Sequence, residues 1–217
     1  MNKNSLAALA LGGMVILAAV DPAAAQELTT GKHAGDIMLR VRGLGVIPEP
    51  SSTVTPIGGH IAASNTAVPE VDGTYFFTDN IAAELIAATT RHHITAKGTS
   101  LGDVDVGMVR LLPPTLTGQY HFMPQERFSP YLGTGINYTW FFDTSVPGNP
   151  VSSVSYSNNF GAVIQAGFDY NLSGNWYLNF DVKQIFLNTT AKLNGGTIRA
   201  DVDLNPTLIS LGFGYKF

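Results

Sequence analysis

Ile209-Ser210-Leu211-Gly212-Phe213-Gly214-Tyr215-Lys216-Phe217 alternates apolar side chains with small or charged ones along its whole length. Ile209, Leu211, Phe213, Tyr215 and Phe217 share one face, and Ser210, Gly212, Gly214 and Lys216 share the other. A period of two is the signature of a strand, because successive side chains point to opposite faces. Upstream, Ile37, Leu39 and Val41 oppose Met38, Arg40 and Arg42. Val71, Tyr75 and Phe77 oppose Asp72, Thr74 and Phe76, while Leu85 lies opposite Glu84 and Ile86. Leu116, Tyr120 and Phe122 oppose Thr117, Gln119 and His121. Three more segments follow the rule, at Tyr131 to Phe141, Phe160 to Tyr170 and Tyr177 to Phe186. These make about eight segments of roughly 8–12 residues, the length of tilted spanning strands.

Every one of these segments has a charge-free apolar face; charges collect on the other face, beside Gly, Asn and Gln. A soluble barrel of lipocalin type would turn its charges outward to water. Here small and charged residues share a face, as a narrow, filled interior requires. Tyr75, Phe77, Tyr120, Phe122, Tyr138, Trp140, Tyr170 and Tyr215 fall near segment ends, where the aromatic girdles of a membrane barrel belong. Short connections at 78–80, 123–129 and 171–175 alternate with longer ones at 47–68, 91–112, 142–158 and 188–200. The longer set is rich in Gly, Pro, Ser, Thr and Asn and is expected to form external loops. The expected fold is all-β, an eight-stranded antiparallel transmembrane β-barrel with up-and-down meander topology.

Composition agrees. The chain has 217 residues, 45% apolar and only 13% charged, with 23 Gly and no Cys. A net charge of −4 disfavours a nucleic-acid partner. Without Cys there is neither a disulfide framework nor a thiolate site. Lys3, the apolar run Leu6 to Val20 and Ala23-Ala24-Ala25 form the n-region, h-region and cleavage site of a signal peptide. Residues 1–25 are therefore expected to be removed, and 26–217 to form one barrel domain starting at Gln26. No later stretch approaches the ~18 apolar residues of a membrane helix, so a spanning protein must close its strands into a barrel.

Tyr75-Phe76-Phe77-Thr78-Asp79-Asn80-Ile81, Leu112-Pro113-Pro114-Thr115-Leu116 and Pro130-Tyr131-Leu132-Gly133-Thr134-Gly135-Ile136-Asn137-Tyr138 are distinctive. With Leu204-Asn205-Pro206 and the closing Tyr215-Lys216-Phe217, the chain resembles the OmpW family, alkane-uptake relatives included, along nearly all of its mature length. The resemblance implies a narrow, partly apolar barrel in the outer membrane of a Gram-negative bacterium. It also implies a passive conduit for small hydrophobic molecules, or, in some members, a bacteriocin receptor or stress-response protein. Expected partners are outer-membrane lipid and a small hydrophobic ligand.

Arg40, Arg42, Asp72, Glu84, Asp169, Asp181 and Lys183 are the inward charged set. They are expected to plug the lumen, with Glu84 meeting Arg40 or Arg42 across it. Met38, Phe76, Ile86, Tyr131, Phe141 and Val163 are the bulky inward residues. They form either an apolar ligand path or plain packing. A ligand would enter between the long loops, stop at the plug and leave sideways between strands. His92-His93 cannot chelate together from opposite faces of a strand, and Asp103-Val104-Asp105 lacks the oxygen count of a calcium loop. No catalytic constellation, metal site or cofactor is expected. A structural or receptor barrel that transports nothing is the competing function.

Overall fold

The computed structural model describes residues 31–217. The expected signal peptide and its cleavage site before Gln26 lie outside the described residues. Among those described there are fifteen strands: β1 (Ile37–Ile47), β2 (Ser51–Thr55), β3 (His60–Ala63), β4 (Thr66–Phe76), β5 (Ile81–Ala87), β6 (Thr90–Thr99), β7 (Gly102–Leu112), β8 (Thr115–His121), β9 (Phe128–Ser145), β10 (Val154–Tyr156), β11 (Asn159–Ser173), β12 (Trp176–Phe186), β13 (Asn188–Leu193), β14 (Ile198–Asp203) and β15 (Thr207–Lys216). Eight of them pair in the order β11-β12-β15-β1-β4-β5-β8-β9, and β9 pairs back to β11 to close the barrel. All pairings are antiparallel. No helix among the described residues is long and apolar enough to cross a membrane. Spanning is left to strands, which closure frees of exposed edges.

Side-chain orientation follows the alternation on every barrel strand. Leu39, Val41, Leu85, Leu116, Leu132, Ile164 and Leu211 point outward and are exposed, while Arg40, Arg42, Asp72, Glu84, Asp169 and Asp181 are buried inside. The inward glycines make this filling possible. Register sets Arg42 opposite Gly212 and Arg40 opposite Gly214. A Cβ on Gly212 would stand 2.1 Å from the Val41 carbonyl oxygen and 2.9 Å from Arg42 Cγ. At Gly167 it would meet the Tyr131 hydroxyl at 2.6 Å. Large side chains on one strand thus occupy room that the neighbouring strand leaves empty.

The long connections require a correction. The segments 47–68, 91–112, 142–158 and 188–200 carry β2, β3, β6, β7, β10, β13 and the start of β14. One group, β3-β6-β7, hangs on the upper part of β9, and the other forms a separate sheet in the order β10-β13-β14-β2. The physical reason is a reversal of polarity. Val54, Ile94, Ala96, Val104, Val106, Ala191, Leu193, Ala200 and Val202 point inward and form one apolar cluster. Between them, Ser, Thr, Asp, Lys and Arg face out. Within the bilayer apolar residues face out, and above it they face in, so the walls of the barrel continue past the membrane as a hydrophobic cup. A tilted strand needs only about nine to eleven residues to cross, and the 18 residues of β9 take it well beyond.

Candidate functional site

The inward residues of β1, read from the periplasmic end, are Met38, then Arg40 and Arg42, then Leu44 and Val46. Those of β12 are Tyr177, then Asn179, Asp181 and Lys183, then Ile185. Each strand therefore contributes an apolar floor, a charged middle and an apolar top, and closure stacks these into three storeys.

The floor packs Met38, Phe76, Ala82 and Tyr177 together. Above it, the charged storey crosses the lumen. Arg40 meets Asp72 at 2.9 Å and Asp169 at 3.1 Å. Arg42 reaches Glu70 at 2.6 Å, Asp72 at 3.0 Å and Glu84 at 3.1 Å. Lys183 pairs with Asp181 and lies 3.3 Å from Glu84. Gln165 donates to Glu84 and Asp181 at 2.8 and 2.7 Å, and the Tyr131 hydroxyl donates to Asp181 at 2.8 Å. Among the described residues, the buried charges are five cations (Lys32, Arg40, Arg42, Lys183, Lys216) and five carboxylates (Glu70, Asp72, Glu84, Asp169, Asp181). The interior is therefore formally neutral, and each charge has an opposite partner in contact, the condition under which buried ions are tolerated.

All seven expected plug residues meet here, and Glu84 joins both arginines. Three further members carried a sequence signal too faint to single them out. Glu70 continues the Asp72-Thr74-Phe76 alternation, but the preceding Pro69 masks the strand. Gln165 alternates with Ile164 like any polar lumen residue. Lys32 lies outside any strand, yet its ammonium donates to Asp169 at 2.7 Å and Ser129 at 2.9 Å.

The apolar top opens into a narrow chamber with a cavity volume of about 90 Å³. Leu44, Val46, Ile185 and Leu208 form its base, and Ile94, Val106, Val109, Phe141, Tyr156 and Leu193 are among its walls. A second apolar hollow sits nearer the tips, sharing Ile61 and Leu193 with the first. The few polar groups on the chamber wall are satisfied by one another or by nearby backbone carbonyls. The Thr139 hydroxyl donates to Asn137 Oδ1 at 2.7 Å, and Asn137 Nδ2 donates to Thr115 at 2.8 Å. Burial lowers the pKa of His92, favouring the neutral imidazole. Its Nδ1 must then donate to the Ser64 carbonyl at 2.8 Å, which leaves Nε2 to accept from the Thr90 hydroxyl at 3.2 Å. With these donors engaged, the chamber offers a ligand an essentially apolar surface.

The six bulky residues do not form one path. Phe141 alone of them lines the chamber. Val163 packs in the cluster at its base with Leu44, Ile185 and Leu208. Ile86 is buried in register with Asp72. Met38 and Phe76 belong to the floor, and Tyr131 to the plug. The charged storey separates them. His93 turns away from His92 to pair with Asp105 at 2.9 Å, and Asp103 accepts from the Gly98 amide. No metal-binding cluster occurs among the described residues.

One stretch of wall is incompletely laddered. β5 and β8 pair up to Ile86 with Thr115, and β6 and β7 resume at Thr90 with Leu111. Pro113 and Pro114 lie between and have no N–H to donate. On the other flank, β4 pairs with β5 only as far as Val71 with Ala87, so Thr66 to Glu70 are laddered to β1 alone. Thr90 and Pro113, beside this seam, also line the chamber.

The model of the OmpW family matches residues 33–217. Outer membrane protein W of Vibrio cholerae is 35% identical over 94% of this chain and 97% of its own. An uncharacterized outer-membrane protein of Sinorhizobium fredii is 44% identical over 90% of each chain. The crystal structure of OprG from Pseudomonas aeruginosa superposes with a TM-score of 0.80 at 32% identity, covering 87% of this chain and 98% of that one. The solid-state NMR structure of AlkL in lipid bilayers superposes at 0.67 with 26% identity, over 91% and 95%. A closed eight-stranded barrel with a charged lumen, matched from residue 33 to 217, identifies the chain as a Gram-negative outer-membrane protein belonging to the OmpW family.

Proposed function

We propose that the protein is a passive conduit that takes small hydrophobic molecules from the outside into the hydrocarbon of the outer membrane. The observation that carries this is the apolar chamber among the upper strands, closed below by the ion-paired storey. A hydrophobic solute gains about 25 cal/mol per Å² of apolar surface on leaving water for such a lining. It gains nothing by moving on into Arg42 and Glu84. The downhill way out is sideways, past the Pro113-Pro114 seam into lipid of similar polarity. No energy source is needed, because the path leads from water to progressively more hydrocarbon.

Uptake of n-octane is the test, comparing cells that produce the parent chain, none, or Val109→Trp, which fills the chamber. The expected result is faster uptake with the parent and loss of that gain with Val109→Trp at equal folded amounts in the membrane. Uptake unchanged by the protein would favour a receptor or structural barrel whose tips serve only as a docking surface.

A further inference from the structure

β6 and β7 place Arg91 directly opposite Arg110 on their outward face, and both side chains are exposed. Like charges directly opposed across a strand pair destabilise it. Arg110 aligns in turn with Phe142 of β9, and two residues lower, next on the same face, Leu112 aligns with Trp140, which is 52% exposed. A row of hydrocarbon-facing residues thus gives way within one step to a row of guanidinium groups. That step marks the outer boundary of the bilayer, because Trp belongs at the interface.

Internal compensation is partial. Asp143 lies 3.2 Å from Arg110, with both side chains about half exposed. Arg91 has no carboxylate within 4.0 Å among the described residues. The next polar side chains up the same face, His93 and Asp105, are engaged with each other at 2.9 Å. The other directly opposed cations, Lys192 and Arg199, stand on β13 and β14, six positions beyond the exposed Phe186. That is roughly 20 Å further along the strand, in water. Of these two pairs among the described residues, the arginine pair is the one at headgroup height. A guanidinium matches a phosphate with two parallel N–H···O bonds, and an adjacent pair can hold one phosphate from two sides. The outer leaflet of such a membrane presents phosphate on glycolipid headgroups at this level.

We propose that Arg91 and Arg110 form a docking site for the headgroup phosphate of a phosphorylated glycolipid in the outer leaflet. The site lies on the lipid-facing side of the wall and does not depend on transport through the chamber. A bound glycolipid would bridge β6 and β7 just above the seam and offset the repulsion between the two arginines.

The test uses the full mature chain in neutral phosphatidylcholine nanodiscs, titrated with purified lipopolysaccharide. The parent is expected to bind at least about tenfold more tightly than Arg91→Gln/Arg110→Gln, the loss expected from removing charge-assisted phosphate contacts. Enzymatically dephosphorylated lipopolysaccharide should bind the parent as weakly as the phosphorylated form binds the double variant. Equal affinity of parent and double variant overturns the proposal. So does binding of inorganic phosphate as tight as that of lipopolysaccharide, which would make the site one for the free anion. Heat-modified gel mobility confirms that both chains are folded, and Arg91→Lys/Arg110→Lys, which keeps charge but loses the planar fork, should recover part of the affinity.

Discussion

Arg42 shows how single residues set the interior. It sits at the centre of three carboxylates, and its room is provided by Gly212 across the β1–β15 pair. Removing the cation leaves Glu70 with no cation in contact, while Asp72 keeps Arg40 and Glu84 keeps Lys183, and breaking a buried pair costs about 3–5 kcal/mol. Arg42→Ala is therefore expected to lower stability by that order in a reversible urea titration in lipid vesicles. Adding Glu70→Gln to it should restore part of the loss. Gly212→Ala leaves every charge in place yet puts a methyl 2.5 Å from Arg42 Cα. Overpacking of this kind costs about 1–3 kcal/mol, and the same titration should show it, whereas Ala at the exposed Gly148, with nothing near its Cβ but a φ of +92°, would report backbone strain alone. The inward placement of the charges was legible at the residue level because charges in a strand with one apolar face have only one place to go. Lys32 was not, because outside a strand there is no period to say where a side chain points.

At the level of the element, alternation fixed the facing of every barrel strand, and the last strand is the most exacting case. Leu211 is 55% exposed on the outward face, while Ser210 is buried with its hydroxyl 3.4 Å from Glu70. An Arg on the lipid face at mid-membrane costs about 2–4 kcal/mol. Leu211→Arg should therefore reduce the folded fraction in vesicles by that amount, and Leu211→Phe should leave it nearly unchanged. A parent-like Leu211→Arg would mean that β15 does not face hydrocarbon. Ser210→Arg is expected to be costly too, through crowding against Arg42 and Glu70 rather than through lipid. The upper strands were read as loops because Gly, Pro, Ser and Thr dominate their composition. Their alternation was present all along in Val104 and Val106, or Ala191 and Leu193. What hid it was the inverted sense, with the apolar side turned in, and the short strand lengths between breaks.

Across the whole molecule, the three storeys separate what each face of the barrel must do. The outward surface answers to lipid, the chamber wall packs apolar side chains inward above the membrane, and the charged storey answers to the demand that an eight-stranded interior be filled. The expected leader adds a prediction of its own: intact mass of protein from outer membranes should correspond to a chain beginning at Gln26. The storeys also predict where a permeability barrier to ions lies. Floor and chamber are apolar packing, but the continuous cross-links from β1 to β5, β11 and β12 run through Arg40 and Arg42. Small ions crossing the barrel must pass these fixed, mutually neutralised charges, which leave no free counter-charge to replace an ion's hydration. Arg40→Ala/Arg42→Ala should open water-filled space at this level and leave the carboxylates as a cation-attracting ring. In planar bilayers its single-channel conductance in KCl is expected to exceed the parent's several-fold, with a shift toward cation selectivity. Heat-modified mobility on gels would show that the variant is still a closed barrel. Equal conductance and selectivity in a folded double variant would place the barrier elsewhere, in the Met38–Phe76–Tyr177 floor below.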